Sequence, residues 1–185
     1  MIEVLMYTDG SSLGNPGEGG YGAIIEYTME YPSGVTTEKY VELMEGYKHT
    51  TNNRMEILGV IKGIEWVNEN IGEPCKIHVI SDSQYVVNTF QKKWIDKWIK
   101  DDWTHKVFDR KTKTSKVEPI KNSDLWKRLI EAKKDHEVDF MWVQGHLNTA
   151  GNIRADELAV AAAYQDEELL LDDDGYELVE TYKKK

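Results

Sequence analysis

The chain has 185 residues, with 33 acids against 23 Lys and Arg, a net charge of −10 and 40% hydrophobic content. That length fits one domain with a fair core, or one domain plus a tail, and six Trp with ten Tyr exclude a wholly disordered chain. No apolar run approaches the roughly 20 residues of a membrane span, the N-terminus lacks the segments of a signal peptide, and the lone Cys75 cannot form an internal disulfide, so a cytoplasmic protein is expected.

Residues 2–8 carry apolar side chains on both faces, as a central strand would. Residues 10–20 form a Gly/Ser/Pro turn region, and residues 21–31 and 35–47 read as two strands joined by a Pro32-Ser33-Gly34 turn. A helix is predicted over 53–70, with Ile57, Ile61, Ile64 and Val67 on one stripe, ended by Gly72 and Pro74. Residues 76–81 are a short β-branched strand, and a helix starts after Ser83. Residues 90–103 look helical and interleave Trp94, Trp98 and Trp103 with lysines; residues 104–122 read as a polar, basic loop. A helix over 124–134, a strand over 138–143 and a helix over 152–164 complete the pattern. Residues 166–185 show no second core and read as a mobile extension without which the domain would still fold.

The acidic balance hides two surfaces of opposite sign. Between Lys92 and Lys121 ten Lys or Arg face five acids, a local +5, whereas residues 166–185 hold eight acids against three lysines. A nucleic-acid partner therefore stays compatible with the overall charge.

Four acids stand where apolar runs give way to turns or helix starts: Asp9 in YTDGSSLGNPG, Glu56 in TTNNRMEI, Asp82 in ISDSQYV and Asp156 in QGHLNTAGNIRADELA. Singly, each has a bland reading, as turn former, helix-dipole partner, N-terminal cap and surface acid respectively. Together, four converging carboxylates require compensating cations, and two divalent ions match their charge. An oxygen-only donor set selects a hard cation, Mg²⁺ or Mn²⁺, and no CxxC or HExxH pattern competes.

These four blocks in series, with His146 ten residues before Asp156, resemble the ribonuclease H type 1 family over about residues 2–162. The resemblance implies an α/β fold of ribonuclease H type: a mixed five-stranded sheet flanked by helices in the order βββαβααβα, with a further short helix in the basic segment. The catalytic domain would span 1–164, with its basic protrusion and loop at about 92–121, and residues 165–185 would be an acidic C-terminal tail. The implied activity is endonucleolytic hydrolysis of the RNA strand of RNA–DNA hybrids, leaving 5′-phosphate and 3′-hydroxyl ends. Asp9, Glu56, Asp82 and Asp156 would hold two Mg²⁺ ions, for which Mn²⁺ could substitute, and His146 would relay a proton or help product leave.

The resemblance also implies the substrate contacts. Gly10, Ser11 and Glu56 would meet the 2′-hydroxyls of the RNA strand, and Asn15, Asn52, Asn53 and Gln84 the base edges in the minor groove; a capping role for Asn53 is compatible with that. Thr51 and Asn122 match a pocket for a DNA phosphate. The third pocket position, commonly arginine in the family, is His49 here, which offers one donor and no fixed charge when neutral. Trp94 and Trp98 would face a deoxyribose, while Trp103 is expected in the core. The segment 105–121 is longer and more basic than the family pattern and reads as an arm that tracks phosphates.

Two other readings of the same motifs stay open: a catalytically weak hybrid-binding module, and the ribonuclease H domain of a reverse transcriptase. Met1, close before the first strand, favours a freestanding protein, expected to be a monomer. The tail would either fold back over an apolar patch or dock a protein partner.

Overall fold

The structure, a computed structural model, describes residues 1–144 and 149–176. Five strands form one mixed sheet: β1 (Ile2–Ser12), β2 (Gly17–Glu30), β3 (Thr36–Thr50), β4 (Cys75–Ser81) and, near the end of the chain, β7 (Glu137–Trp142), in the order β3-β2-β1-β4-β7. β1, β2 and β3 pair antiparallel, whereas β4 runs parallel to both β1 and β7.

One face of the sheet carries the main core. Alternate residues of β1 (Val4, Met6, Thr8) are buried there against α1 (Asn52–Asn70), whose stripe of Ile57, Ile61, Ile64 and Val67 is fully enclosed. Helices α2 (Gln84–Gln91) and α4 (Ser123–Ala132) extend this core through Val86, Val87, Leu125, Leu129 and the enclosed Trp126. The opposite face is covered by α5 (Ala150–Ala163), which seals a smaller cluster of Ile24, Ala155 and Leu158 with Tyr7 and Met44. α5 lies directly on β2 because that strand offers glycines: a Cβ on Gly22 would come within 2.1 Å of the Ala155 carbonyl oxygen.

Three parts of the chain depart from the sequence reading. The β1–β2 ladder runs on to Ser12 opposite Gly19, so the expected turn shrinks to the residues around Asn15 and Pro16. The single helix expected over 90–103 is broken. α2 stops at Gln91, Lys93 takes a left-handed φ of 55°, and α3 (Trp94–Lys100) follows, closed by left-handed Asp102 and Trp103. The basic loop is instead an antiparallel hairpin, β5 (Thr104–Asp109) with β6 (Thr114–Pro119).

The expectation of a mobile extension also fails for residues 166–176. After a 3₁₀ turn (Glu167–Leu169), Leu170 is buried, and Leu171 lies beside β3, donating to the Gly46 carbonyl and accepting from the Lys48 N–H. Asp173 is 7% exposed and grips the enclosed Arg54 guanidinium with both oxygens, at 2.7 and 2.8 Å. Asp124 makes a second two-bond pair with Arg54 at 2.7 and 3.0 Å, and Thr50 Oγ1 donates to Asp173 at 2.6 Å. Burial alone would lower the guanidinium's pKa, but these two carboxylates reverse the effect and hold it raised. A buried cation matched by two carboxylates meets its desolvation cost through charge-assisted bonds, so the segment acts as a strap.

Candidate active site

The strand register builds the site. β1 and β4 pair from Ile2↔Cys75 to Tyr7↔Ile80. Two residues further, Asp9 and Asp82 stand level at the carboxyl edge of neighbouring parallel strands, whose spacing is about 4.8 Å. In an open α/β sheet that edge is where ligands bind. Asp9 shares its strand face with Tyr7, the face that α5 covers, and it pairs with Gly22, the residue on which Ala155 rests. Asp156, next to Ala155, is thereby brought to the same edge.

Glu56 arrives from the other side. A Cβ on Gly10 would lie 2.4 Å from the Glu56 backbone nitrogen, so only glycine lets the first turn of α1 press against the strand beside Asp9. Gly59, on the same helix face, lies at ordinary contact distance from the Asp9 carbonyl, and Gly63 packs on Met6. The tightest approach of α1 to the sheet is therefore at Gly10.

The Glu56 carboxylate is held at both oxygens. Asn52 Nδ2 donates to Oε1 at 2.7 Å, and the Ser83 hydroxyl donates to Oε2. Asn15 Oδ1 in turn accepts from the Asn52 backbone N–H at 3.3 Å. Ser83 also caps α2, accepting from the Val86 N–H, which removes the bland reading of Asp82 as the cap. Thr51, not Asn53, caps α1; Asn53 and Gln84 are exposed.

Burial and mutual repulsion mark this group electrostatically. Asp9 is pushed up to about 8, first by burial, then by the charge of Asp82, with smaller contributions from Asp156 and Glu56; the Gly10 N–H, 2.7 Å from Oδ1, opposes the rise. Glu56 is pushed up to about 7, again first by burial; the Ser83 bond opposes this, Asp82 adds to it and the Asn52 bond opposes it further. Acids that resist ionisation together form a site that lacks positive charge. Among the described residues no three such side chains close on a common point as metal ligands would. Glu56 is instead drawn toward the Ser83 hydroxyl and the Asn52 amide, and Asp9 toward the Gly10 N–H; an all-oxygen donor set of this kind suits a hard divalent cation.

The remaining expected contacts fall into three groups. Gly10, Ser11, Asn15, Asn52 and Glu56 lie together where the β1–β2 turn meets the start of α1. His49, Thr51 and Asn122 gather around Arg54. His49 is exposed, with its ring 5.2 Å from that of Tyr176, and Asn122 takes a left-handed φ of 58° just before α4. The Asn122 amide is fixed at both ends: its oxygen accepts from Arg54 Nη1 at 3.4 Å, and its nitrogen donates to the Tyr85 hydroxyl at 3.2 Å. Trp94 is exposed with Lys92 over its ring, whereas Trp98 is half-buried on the core Trp126, and Trp103 packs inward as expected. Trp98 thus supports Trp94 more than it presents a face of its own. His146 lies outside the described residues.

Sequence reasoning missed Ser83, Tyr85, Arg54 and Asp173. For Arg54 a signal existed: it precedes Ile57 and Leu58 by three and four residues, so it falls on the buried stripe, where a cation needs acid partners.

The chain is similar to known proteins along nearly its whole length. The profile of the RNase H family matches residues 2–164. A ribonuclease H of Lachnoclostridium phytofermentans is 47% identical over 163 residues, covering 88% of this chain and 92% of that protein. One of Pseudoalteromonas atlantica is 41% identical over 177 residues, covering 96% and 99%. Among solved structures, LC9-RNase H1, a type 1 RNase H with the type 2 active-site motif, superposes with a TM-score of 0.71 at 31% identity, covering 95% of this chain and 79% of that one. On that profile match and on relatives of this identity and coverage, this chain belongs to the ribonuclease H family.

Proposed function

We propose that the chain hydrolyses the RNA strand of RNA–DNA hybrids endonucleolytically, with Asp9, Glu56, Asp82 and Asp156 holding two Mg²⁺ ions, or Mn²⁺ in their place. The observation that carries this reading is the level placement of Asp9 and Asp82, with Glu56 brought in over Gly10. When bound, the cations would supply the charge that activates the attacking water and stabilises the leaving 3′-oxygen, giving 5′-phosphate and 3′-hydroxyl products. The chain's own residues position the rest. Ser83 and Asn52 hold the Glu56 carboxylate in one orientation. Gly10, Ser11 and Glu56 are suited to meet 2′-hydroxyls, which separate RNA from DNA. Asn15, Asn52, Asn53 and Gln84 offer amides for base edges in the minor groove with little sequence preference. His49, Thr51 and Asn122 line the pocket assigned to a DNA phosphate, and Trp94, braced by Trp98, the surface assigned to a deoxyribose. His146 is assigned proton relay or product release on sequence grounds.

The catalytic unit is taken as residues 1–164, fastened by the strap that follows, and acting as a monomer. No helix among the described residues is long and apolar enough to cross a membrane. The buried thiol of Cys75 suits a reducing cytoplasm.

A cleavage assay with RNA–DNA, RNA–RNA and DNA–DNA duplexes tests the proposal. Only the hybrid should be cut, and only with Mg²⁺ or Mn²⁺; Ca²⁺ should support binding without cleavage, because its longer, looser coordination misplaces the attacking water. Asp82→Asn should lower turnover by several orders of magnitude while hybrid binding survives. Near-normal turnover in that variant would refute the two-metal reading, and binding without any cutting by the native chain would leave a hybrid-binding module.

A further inference from the structure

Strand β4 loses one of its two neighbours just before it delivers Asp82. Its ladder with β1 ends at Tyr7↔Ile80, so Ser81 and Asp82 run on with β7 as the strand beside them. A backbone carbonyl past the end of a ladder has no sheet donor, and must find one elsewhere or face water.

Hydrogen bonds from both ends hold this run. The Val143 N–H donates to the Ser81 carbonyl at 3.1 Å, one step past the Ser81↔Trp142 pair. The Ser83 N–H donates to the buried Ser81 Oγ, also at 3.1 Å. A third bond falls on Asp82 itself: the Trp142 indole N–H donates to its backbone carbonyl at 3.0 Å.

Packing does not account for a tryptophan at 142. It is 46% exposed and belongs to neither buried cluster, whereas Phe140, two residues earlier on the same strand face, is buried and stacks on Phe90. What an indole adds is one N–H, with no acceptor, on a rigid ring. That donor links the last residue of β7 to the residue following β4, across the edge where the four acids stand.

We infer that Trp142 is a positioning residue for the active site: its indole N–H pins the Asp82 main chain and thereby aims the Asp82 carboxylate. This rests on the hydrolase reading above. The carbonyl and the side chain of Asp82 branch from the same Cα, so fixing the carbonyl removes the peptide rotation that would re-aim the carboxylate. Glu56 is aimed through its own oxygens, by Ser83 and Asn52; Trp142 acts on Asp82 through the backbone. Groups that orient a metal-binding side chain from behind carry roughly 10–100-fold of metal affinity or activity.

Two variants of the full-length protein test the inference near pH 8, where an ordinary imidazole is uncharged. Trp142→Phe keeps an aromatic ring and removes the N–H. Trp142→His restores a donor, because its five-membered ring can put Nε2 where the indole had Nε1. The readouts are Mn²⁺ affinity by calorimetry on the hybrid-free chain, kcat and KM for hybrid in Mg²⁺, and Tm in chelator. In Trp142→Phe, Mn²⁺ should bind roughly tenfold more weakly and kcat should fall by a similar factor, with KM within about twofold and Tm little changed. Trp142→His should regain most of both losses. Native Mn²⁺ affinity and kcat in Trp142→Phe would overturn the inference. So would equal losses in the two variants, or losses that accompany a large fall in Tm, since those mark mere structural support. A rise in KM alone would also overturn it, by making Trp142 a substrate contact. Each of these outcomes leaves the hydrolase reading intact; a native chain that neither binds Mn²⁺ nor cuts hybrid sinks both.

Discussion

Asp9→Asn should stabilise the metal-free protein while abolishing hydrolysis. In the folded chain Asp9 is raised from 3.8 to about 8, mainly by burial and by Asp82. Its proton therefore favours the folded state. That advantage is complete below the unfolded value, near pH 4, and is lost as pH rises through about 8. At neutral pH and above, the native chain carries the cost of an ionised carboxylate among other acids. At about 1.4 kcal/mol per pH unit the interval bounds that cost near 6 kcal/mol; partial solvent access and repulsion shared with Asp82, Asp156 and Glu56 reduce it to about 2–3 kcal/mol. The Asn amide keeps an oxygen for the Gly10 N–H and removes the charge. Urea unfolding in chelator should show a small difference between variant and native chain near pH 4, growing through pH 5–8 and levelling above. Near pH 8 it should correspond to a rise in Tm of about 5–10 °C. Saturating Mg²⁺ should narrow the gap, since a ligand at 100 times its Kd adds about 2.7 kcal/mol to a chain that binds it. If Asp9→Asn is no more stable than the native chain at pH 8, or if its gain is the same at pH 5, the electrostatic account of the site is wrong.

The strap gives a prediction of opposite sign. Asp173→Asn leaves Arg54 buried with Asp124 as its remaining carboxylate partner, so stability should fall by about 2–4 kcal/mol in denaturant unfolding; a loss below about 0.5 kcal/mol would show that Asp124 alone satisfies the guanidinium. Truncation after Gln165, expected from sequence to be harmless, should destabilise at least as much. At the pocket assigned to DNA phosphate, His49→Arg supplies a fixed charge beside Tyr176, so hybrid affinity should tighten and the salt slope steepen by about 0.9; an unchanged slope would place no phosphate there.

The main sheet and the helices around it were legible because each obeys a local rule. The Ile57–Val67 stripe has one helical face, the Pro32-Ser33-Gly34 turn sits between two alternating runs, and Gly72 with its φ of 71° ends α1 where the pattern stops. The four acids were legible from their blocks, and Asp9 and Asp82 rise together because the strands bearing them are parallel neighbours. What was hidden depends on distance or on missing signals. The β5–β6 hairpin has no buried face to impose alternation, and its turn uses a left-handed lysine, Lys113, where a glycine or asparagine would have announced it. The run Asp172–Asp174 looks like solvated charge until Arg54, 119 residues before Asp173, is brought beneath it. Ser83 reads as an ordinary cap, and only the fold shows that the same hydroxyl also fixes Glu56.

The bridge between Leu171 and β3 bears on how the protein stays apart from its own copies. β3 is the outer strand of the sheet, and at 15 residues it offers a long row of backbone donors and acceptors to any other extended chain. Toward its start the strand carries Glu38, Lys39, Glu42 and Glu45, charges that discourage edge-to-edge stacking. Around Gly46 and Tyr47 that protection lapses, and there Leu171 takes the free Gly46 carbonyl and the Lys48 N–H. The same few residues that secure Arg54 thus close the gap in the sheet's border, so a chain that loses them exposes a template for self-association at the moment it becomes easier to unfold.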